Sequence, residues 1–215
     1  MQLARRFRNL SNRYPFAGPL MWLLTFQFFI AEIVTANSWA KLPYSYRLNA
    51  ISDLGAVGCG LFDDDRFVCS PLHGIMNGSL ILLGITMAVG SVLLYTRLQK
   101  SKVGFSLMTL AGIGAFLVGI FPEDTVFWVH IVGQDLAFVF GNVALIVFGF
   151  TLPAPRVFRW YSITSGTVAL VALVLFLSHH RLFLELGGME RTVAYPLLLW
   201  LIVAGGYFAT RRVRN

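Results

Sequence analysis

The feature that most limits this chain is a series of six apolar stretches, each about long enough to cross a bilayer, with no room for a soluble domain between them. Crossing the hydrocarbon layer takes about 20 consecutive, mostly apolar residues. Residues 19–36, 71–95, 103–121, 125–151, 161–178 and 193–210 meet or approach that length, and the longest polar connection is 37–70. A soluble domain would also need a wetted surface. Only 13% of the residues are charged and 57% are hydrophobic, against about a quarter charged in a typical soluble domain. The expected fold is all-α: a polytopic membrane protein with six transmembrane helices in an antiparallel bundle, residues 1–215 forming one membrane domain.

Net charge is +7, but its distribution excludes a nucleic-acid surface. Twelve of the 17 basic residues fall in four places that alternate with the spans. These are Arg5, Arg6, Arg8 and Arg13; Arg97, Lys100 and Lys102; Arg156 and Arg159; Arg211, Arg212 and Arg214. Basic residues flanking spans mark the cytoplasmic side. Both termini are therefore expected in the cytoplasm, in a cell membrane, with Lys41, Arg47, Arg66, Arg181 and Arg191 in the opposite loops. The basic start and the small residues near Ala36 also fit a signal peptide. The length of the apolar run, with Gln27 and Glu32 inside it, favours an uncleaved helix.

Cys59 and Cys69 lie in the loop expected outside, on the side where disulfides persist, and are read as a disulfide; two free thiols are the alternative. Asp63-Asp64-Asp65 between them reads as solvated loop. Gly112, Gly114 and Gly119 in the third span, and Gly205-Gly206 in the sixth, would let helices approach closely. Trp22, Trp39, Tyr44, Tyr46, Tyr95, Trp128, Trp160, Tyr161 and Tyr195 are expected as interfacial anchors.

Acids and histidines are segregated more sharply than insertion requires. All ten carboxylates and all four histidines fall in outer loops or the outer parts of spans, although Asp and Glu contribute little to orientation. This points to a polar, titratable site at the outer end of the bundle. His73 and Asn77 share a helix face, as do His130 and Gln134. Asp135 falls deep in its span, where a carboxylate costs a few kcal/mol unless neutral, paired or wet. His73 or Arg191 is its expected partner. Candidate acid, base or ligand groups are Asp53, His73, Glu123, His130, Asp135 and Glu190. Candidate substrate contacts are Asn49, Ser52, Asn77, Asn142, Arg191 and Tyr195; Arg191 could grip a phosphate or carboxylate bidentately. No H-E-x-x-H, G-x-S-x-G, Walker or C-x-x-C pattern is present.

The string Asn49-Ala50-Ile51-Ser52-Asp53-Leu54-Gly55, with His73 and Asn77-Gly78, resembles the first signature of the membrane-protein family catalogued as domain of unknown function 998. Phe121-Pro122-Glu123, with His130 and Asn142, resembles its middle signature. Gly187-Gly188-Met189-Glu190-Arg191, with Tyr195-Pro196, resembles its last. The resemblance implies six membrane helices and no activity. The 63–65 insert and Asp135 have no place in the family pattern.

Three functions fit. The first is an enzyme acting on a lipid or isoprenoid-like amphiphile at the outer leaflet, by proton transfer or with a metal. The second is a non-catalytic lipid-binding or transport-accessory protein, and the third a structural subunit of an envelope complex. Membrane lipids and an amphiphilic small molecule are the expected partners. No cofactor is expected; zinc on His73 and His130 with an acid is the metal alternative.

Overall fold

The fold was obtained as a computed structural model, which describes residue 9, residues 13–62 and residues 66–210. Asp63, Asp64 and Asp65 lie outside these residues, as do Arg5, Arg6, Arg8, Arg211, Arg212 and Arg214.

Six helices are long and apolar enough to cross a membrane: Ala17–Asn37, His73–Tyr95, Lys102–Ile120, Phe127–Thr151, Arg156–Leu177 and Glu185–Thr210. They are called the first to sixth spans. The first bends at Leu24 and Thr25 between helical pieces Ala17–Leu23 and Phe26–Asn37. The fourth carries a π-helical stretch at Leu136–Phe140.

The sixth span begins earlier than the apolar window indicates. Arg191 was expected in a loop but sits inside the helix, together with Glu190 and Gly187. A buried charge is tolerated there because an acid from the first span meets it, as described below.

Each span packs against the next, and the sixth closes on the first. Short connections force antiparallel neighbours, so the ring alternates up and down. Its tightest seam joins the second and third spans. A Cβ added at Gly112 would come within 2.7 Å of the Ala88 backbone nitrogen, and one at Gly119 within 2.7 Å of that of Ile81. Gly84 faces the backbone of Phe116 and Gly112 across the same seam. Gly205 likewise lets the sixth span approach Pro19 and Leu23, whereas Gly206 faces open space. The expected close approach therefore holds for Gly112, Gly114, Gly119 and Gly205 but not for Gly206.

The two ends of the ring differ. One end carries the connections Leu98–Ser101 and 152–155. On the ring axis near it stand Trp22, Phe105, Phe148 and Trp200, all fully buried. Phe148 stacks on Trp200 with centroids 5.0 Å apart, and Trp22 lies 5.5 Å from Trp200. Trp22 is thus not the interfacial anchor its position suggested: it is fully buried, and its indole donates to the Met87 carbonyl. Trp128 and Trp160, 77% and 56% exposed, keep outward positions suited to anchoring.

The other end is closed by a cap made of the 38–72 connection. It contains a helical turn at Ser52–Gly55 and two short antiparallel strands, β1 (Gly60–Phe62) and β2 (Arg66–Val68). Cys59 and Cys69 are disulfide-bonded across the base of this hairpin.

Candidate functional site

The cap is fastened to the bundle by two guanidinium groups, one buried and one partly buried. The first belongs to Arg191. Its Nε and Nη2 both reach Glu32 Oε1, at 3.0 and 2.9 Å. Nη1 donates to the backbone carbonyls of Tyr46, Asn49 and Gly187, and Nη2 donates to the Tyr44 hydroxyl. An arginine has five N–H donors, and protein acceptors engage every nitrogen here. Tyr195 completes the knot by donating to Glu32 Oε2 at 2.7 Å. Burial pushes the Tyr44 phenol well above its ordinary range, so it is uncharged. Asn49 contributes its carbonyl to Arg191, while its side chain accepts from the Ser45 amide.

The second guanidinium belongs to Arg66 on β2. Its Nε lies 2.9 Å from Asp53 Oδ1, and its Nη2 lies 3.6 Å from Glu123 Oε2. Asp53 Oδ2 also accepts the Ala50 amide at 2.9 Å. Burial, and then the nearby Asp53 charge, pushes the Glu123 carboxyl up to about 9. At neutral pH Glu123 therefore carries a proton beside Asp53. The neighbouring Asp124 accepts from the Gly58 amide at 2.7 Å, tying the 121–126 connection to the cap.

Glu190 joins the cap to the bundle interior. It accepts the Ile51 amide at 2.5 Å, and Gln134 donates to its other oxygen at 3.4 Å. Beneath Ile51 and Ser52 lies a partly open cavity of about 70 Å³. Its polar wall is Ser52, His130, Gln134 and Glu190; the rest is apolar, including Phe28, Leu83, Met87, Ala115, Ala194 and Leu198. By volume it would hold about five waters or a short hydrocarbon segment. His130 places Nδ1 2.9 Å from the Phe121 carbonyl. A carbonyl can only accept, so Nδ1 carries the hydrogen, and in the neutral ring Nε2 is free of one.

The remaining candidates are dispersed. His73 turns Nδ1 to the Ser70 carbonyl at 3.0 Å, and Asn77 donates to the Gly55 carbonyl at 2.9 Å; both hold the cap. Asn142 donates to Phe138 at 2.9 Å and to Val193 at 3.2 Å, bridging the π-helical stretch and the sixth span. Asp135 is exposed on the outside of the bundle and meets neither expected partner, since Arg191 is engaged by Glu32 and His73 by Ser70. The register of the fourth span places Gln134 on the cavity wall and the residue after it on the outside. Among the described residues, no three His, Cys, Asp or Glu side chains are grouped to hold a metal ion.

Four contributors were not singled out from the sequence as site residues: Glu32, Tyr44, Arg66 and Gln134. Glu32 and Gln134 carry a signal, a polar side chain within an apolar run. Tyr44 carries none, because an interfacial tyrosine and a buried donor-acceptor look alike in sequence.

The model of a family described as a protein of unknown function, DUF998, matches residues 18–207. The chain is also 30% identical over 131 residues to a protein named regulatory protein CII of Escherichia phage 186, covering 54% of this chain and 76% of that one. No solved structure matches it.

Proposed function

Since the chain belongs to DUF998, a family of unknown function, its role must be argued from its own residues, and we propose that it is a receptor for a membrane amphiphile. The cap faces the non-cytoplasmic side, and the ligand enters from that leaflet. The ligand's apolar end occupies the cavity, and its polar group meets Glu190, Gln134, His130 and Ser52. The observation that carries this reading is an almost wholly apolar cavity with four polar residues, Ser52, His130, Gln134 and Glu190, among its lining beneath the cap. Small-molecule sites have this character, a mostly hydrophobic wall with few placed polar groups. The disulfide-braced cap and the basic opposite end support the orientation.

Catalysis on the bound amphiphile is a second reading. It is favoured by His130, whose Nε2 is free of a proton when the ring is neutral and which lines the cavity together with Glu190. An acid and a base lining one cavity are the minimum for proton transfer. Glu32, Asp53, Glu123 and Asp124 are instead engaged in fastening the cap.

The test is mass spectrometry of amphiphiles retained by purified protein in nanodiscs, comparing the native chain with Ala115→Leu and Ala194→Leu. Those two variants fill the cavity without touching its polar wall. Selective retention of one amphiphile class that both variants abolish supports the receptor. A retained pool identical in native and filled proteins sinks it.

A further inference from the structure

Asp135 is the one carboxylate, imidazole or cationic side chain among the described residues that lies more than a turn inside a span and faces outward. Glu32, His130, Glu190 and Arg191 all face inward. Asp135 follows Phe127, the first residue of its span, by eight positions, which is roughly 12 Å along a helix. Trp128, 77% exposed, marks the boundary region above it. Val132 and Val139, 55% and 36% exposed, lie in the same stripe. The stripe Trp128, Val132, Asp135, Val139 therefore presents one carboxyl group in an otherwise apolar face.

A carboxyl facing hydrocarbon costs a few kcal/mol even on the lenient insertion scale, and such groups normally face a bundle interior, a wet cavity or a partner. The Asp135 side chain makes no hydrogen bond or ion pair among the described residues. Something outside the chain must then cover it. We infer that the cover is a second copy: two chains dock along their fourth spans with Asp135 against Asp135.

Two arguments select this occupant. Copies of one chain insert in one orientation, so a twofold axis between them runs along the membrane normal. Identical residues then meet at identical depth, the isologous contact a twofold requires. A carboxyl group is also self-complementary. Protonated, it has one O–H donor and acceptor oxygens, so each Asp135 donates to the other. A salt-bridged contact would need an outward base at that depth, and this chain's outward bases, Lys102, Arg156 and Arg159 among them, sit at the ends of spans. Val132 and Val139 flank the pair with short β-branched side chains that let the helices approach. This contact is independent of the receptor reading and involves none of the cavity residues.

The experiment measures the mass of the purified chain in mild detergent by light scattering, alongside oxidative cross-linking in native membranes. The native chain is expected as a dimer, and Asp135→Asn, whose amide also pairs with itself, as a dimer too. Asp135→Leu should raise the dimer dissociation constant about tenfold, the scale of one interhelical hydrogen bond in a membrane. With Asp135 left intact, Val139→Cys should cross-link to itself and Val171→Cys, exposed on the fifth span, should not. If Asp135→Leu does not fold, the two cysteine variants decide. A monomeric native chain, equal cross-linking at positions 139 and 171, or cross-linking of position 139 to a different protein overturns the proposal.

Discussion

Arg191 and Glu32, 159 positions apart in sequence, meet inside the bundle with side chains only 8% and 2% exposed, and this pair anchors the cap. Removing one partner leaves an uncompensated buried charge, which typically costs 3–5 kcal/mol. Glu32→Leu and Arg191→Leu should each lower unfolding stability in detergent by about that amount. The double variant should recover part of the loss, because neither charge remains. Arg191→Lys should not rescue, since one ammonium cannot reach Glu32, Tyr44 and three carbonyls in the planar geometry a guanidinium offers. Additive losses in the double variant would show that the two side chains act separately.

Glu123 gives the cap a pH dependence of defined sign. Its carboxyl rises from 4.5 to about 9 on folding, through burial and the Asp53 charge. Between those values the folded chain holds a proton that the unfolded chain releases. Stability from this group is therefore complete below pH 4.5, falls as pH rises, and levels off near pH 9, with a limiting slope of about 1.4 kcal/mol per pH unit. Glu123→Gln mimics the protonated group and should flatten that part of the curve, matching the native chain below pH 4.5 and exceeding it increasingly as pH rises towards 9. Melting curves from pH 5 to 10 check this. An unaltered slope in the glutamine variant would place the titration elsewhere.

These two residues also show what the sequence can and cannot convey. The six spans are legible because hydrocarbon thickness sets a length that a composition window detects. The start of the sixth is not: Arg191 ends an apolar window, and its compensating Glu32 is five spans away in the chain. Asp135 fails for a different reason. Its depth follows from counting residues, but its face does not, because the fourth span is apolar nearly all round and offers no polar stripe to orient it. Asp53, Glu123, His130 and Glu190 were legible as a group at one end, since short connections and alternating topology gather them there. The cation shared by Asp53 and Glu123 was not, because Arg66 reaches them only after the cap folds back.

The Cys59–Cys69 bond holds the hairpin that carries Arg66. The residues are 10 apart, and closing a loop of that size removes about 3 kcal/mol of unfolded-chain entropy. Reduction, or Cys59→Ser, should lower stability by about that amount. The same treatments should free Arg66 from Asp53 and Glu123, so protease cleavage should appear within residues 56–70 before the spans are attacked. Equal melting temperatures with and without reductant would show that the cap keeps its shape without the bond.

Orientation can be tested with single reporter cysteines, because both native cysteines are engaged in the disulfide. Lys100 lies at the basic end and Arg181 in the connection before the sixth span; both are exposed. Arginine and lysine flanking short connections hold those connections in the cytoplasm. A membrane-impermeant maleimide added to intact cells should therefore label Arg181→Cys and leave Lys100→Cys unlabelled until the membrane is opened. The reverse pattern would place the cap in the cytoplasm, where a reducing environment opposes its disulfide. The cavity would then take its ligand from the inner leaflet instead. Labelling of both from outside would mean that the chain inserts in two orientations, and the uneven placement of 12 basic residues would have to serve some other contact.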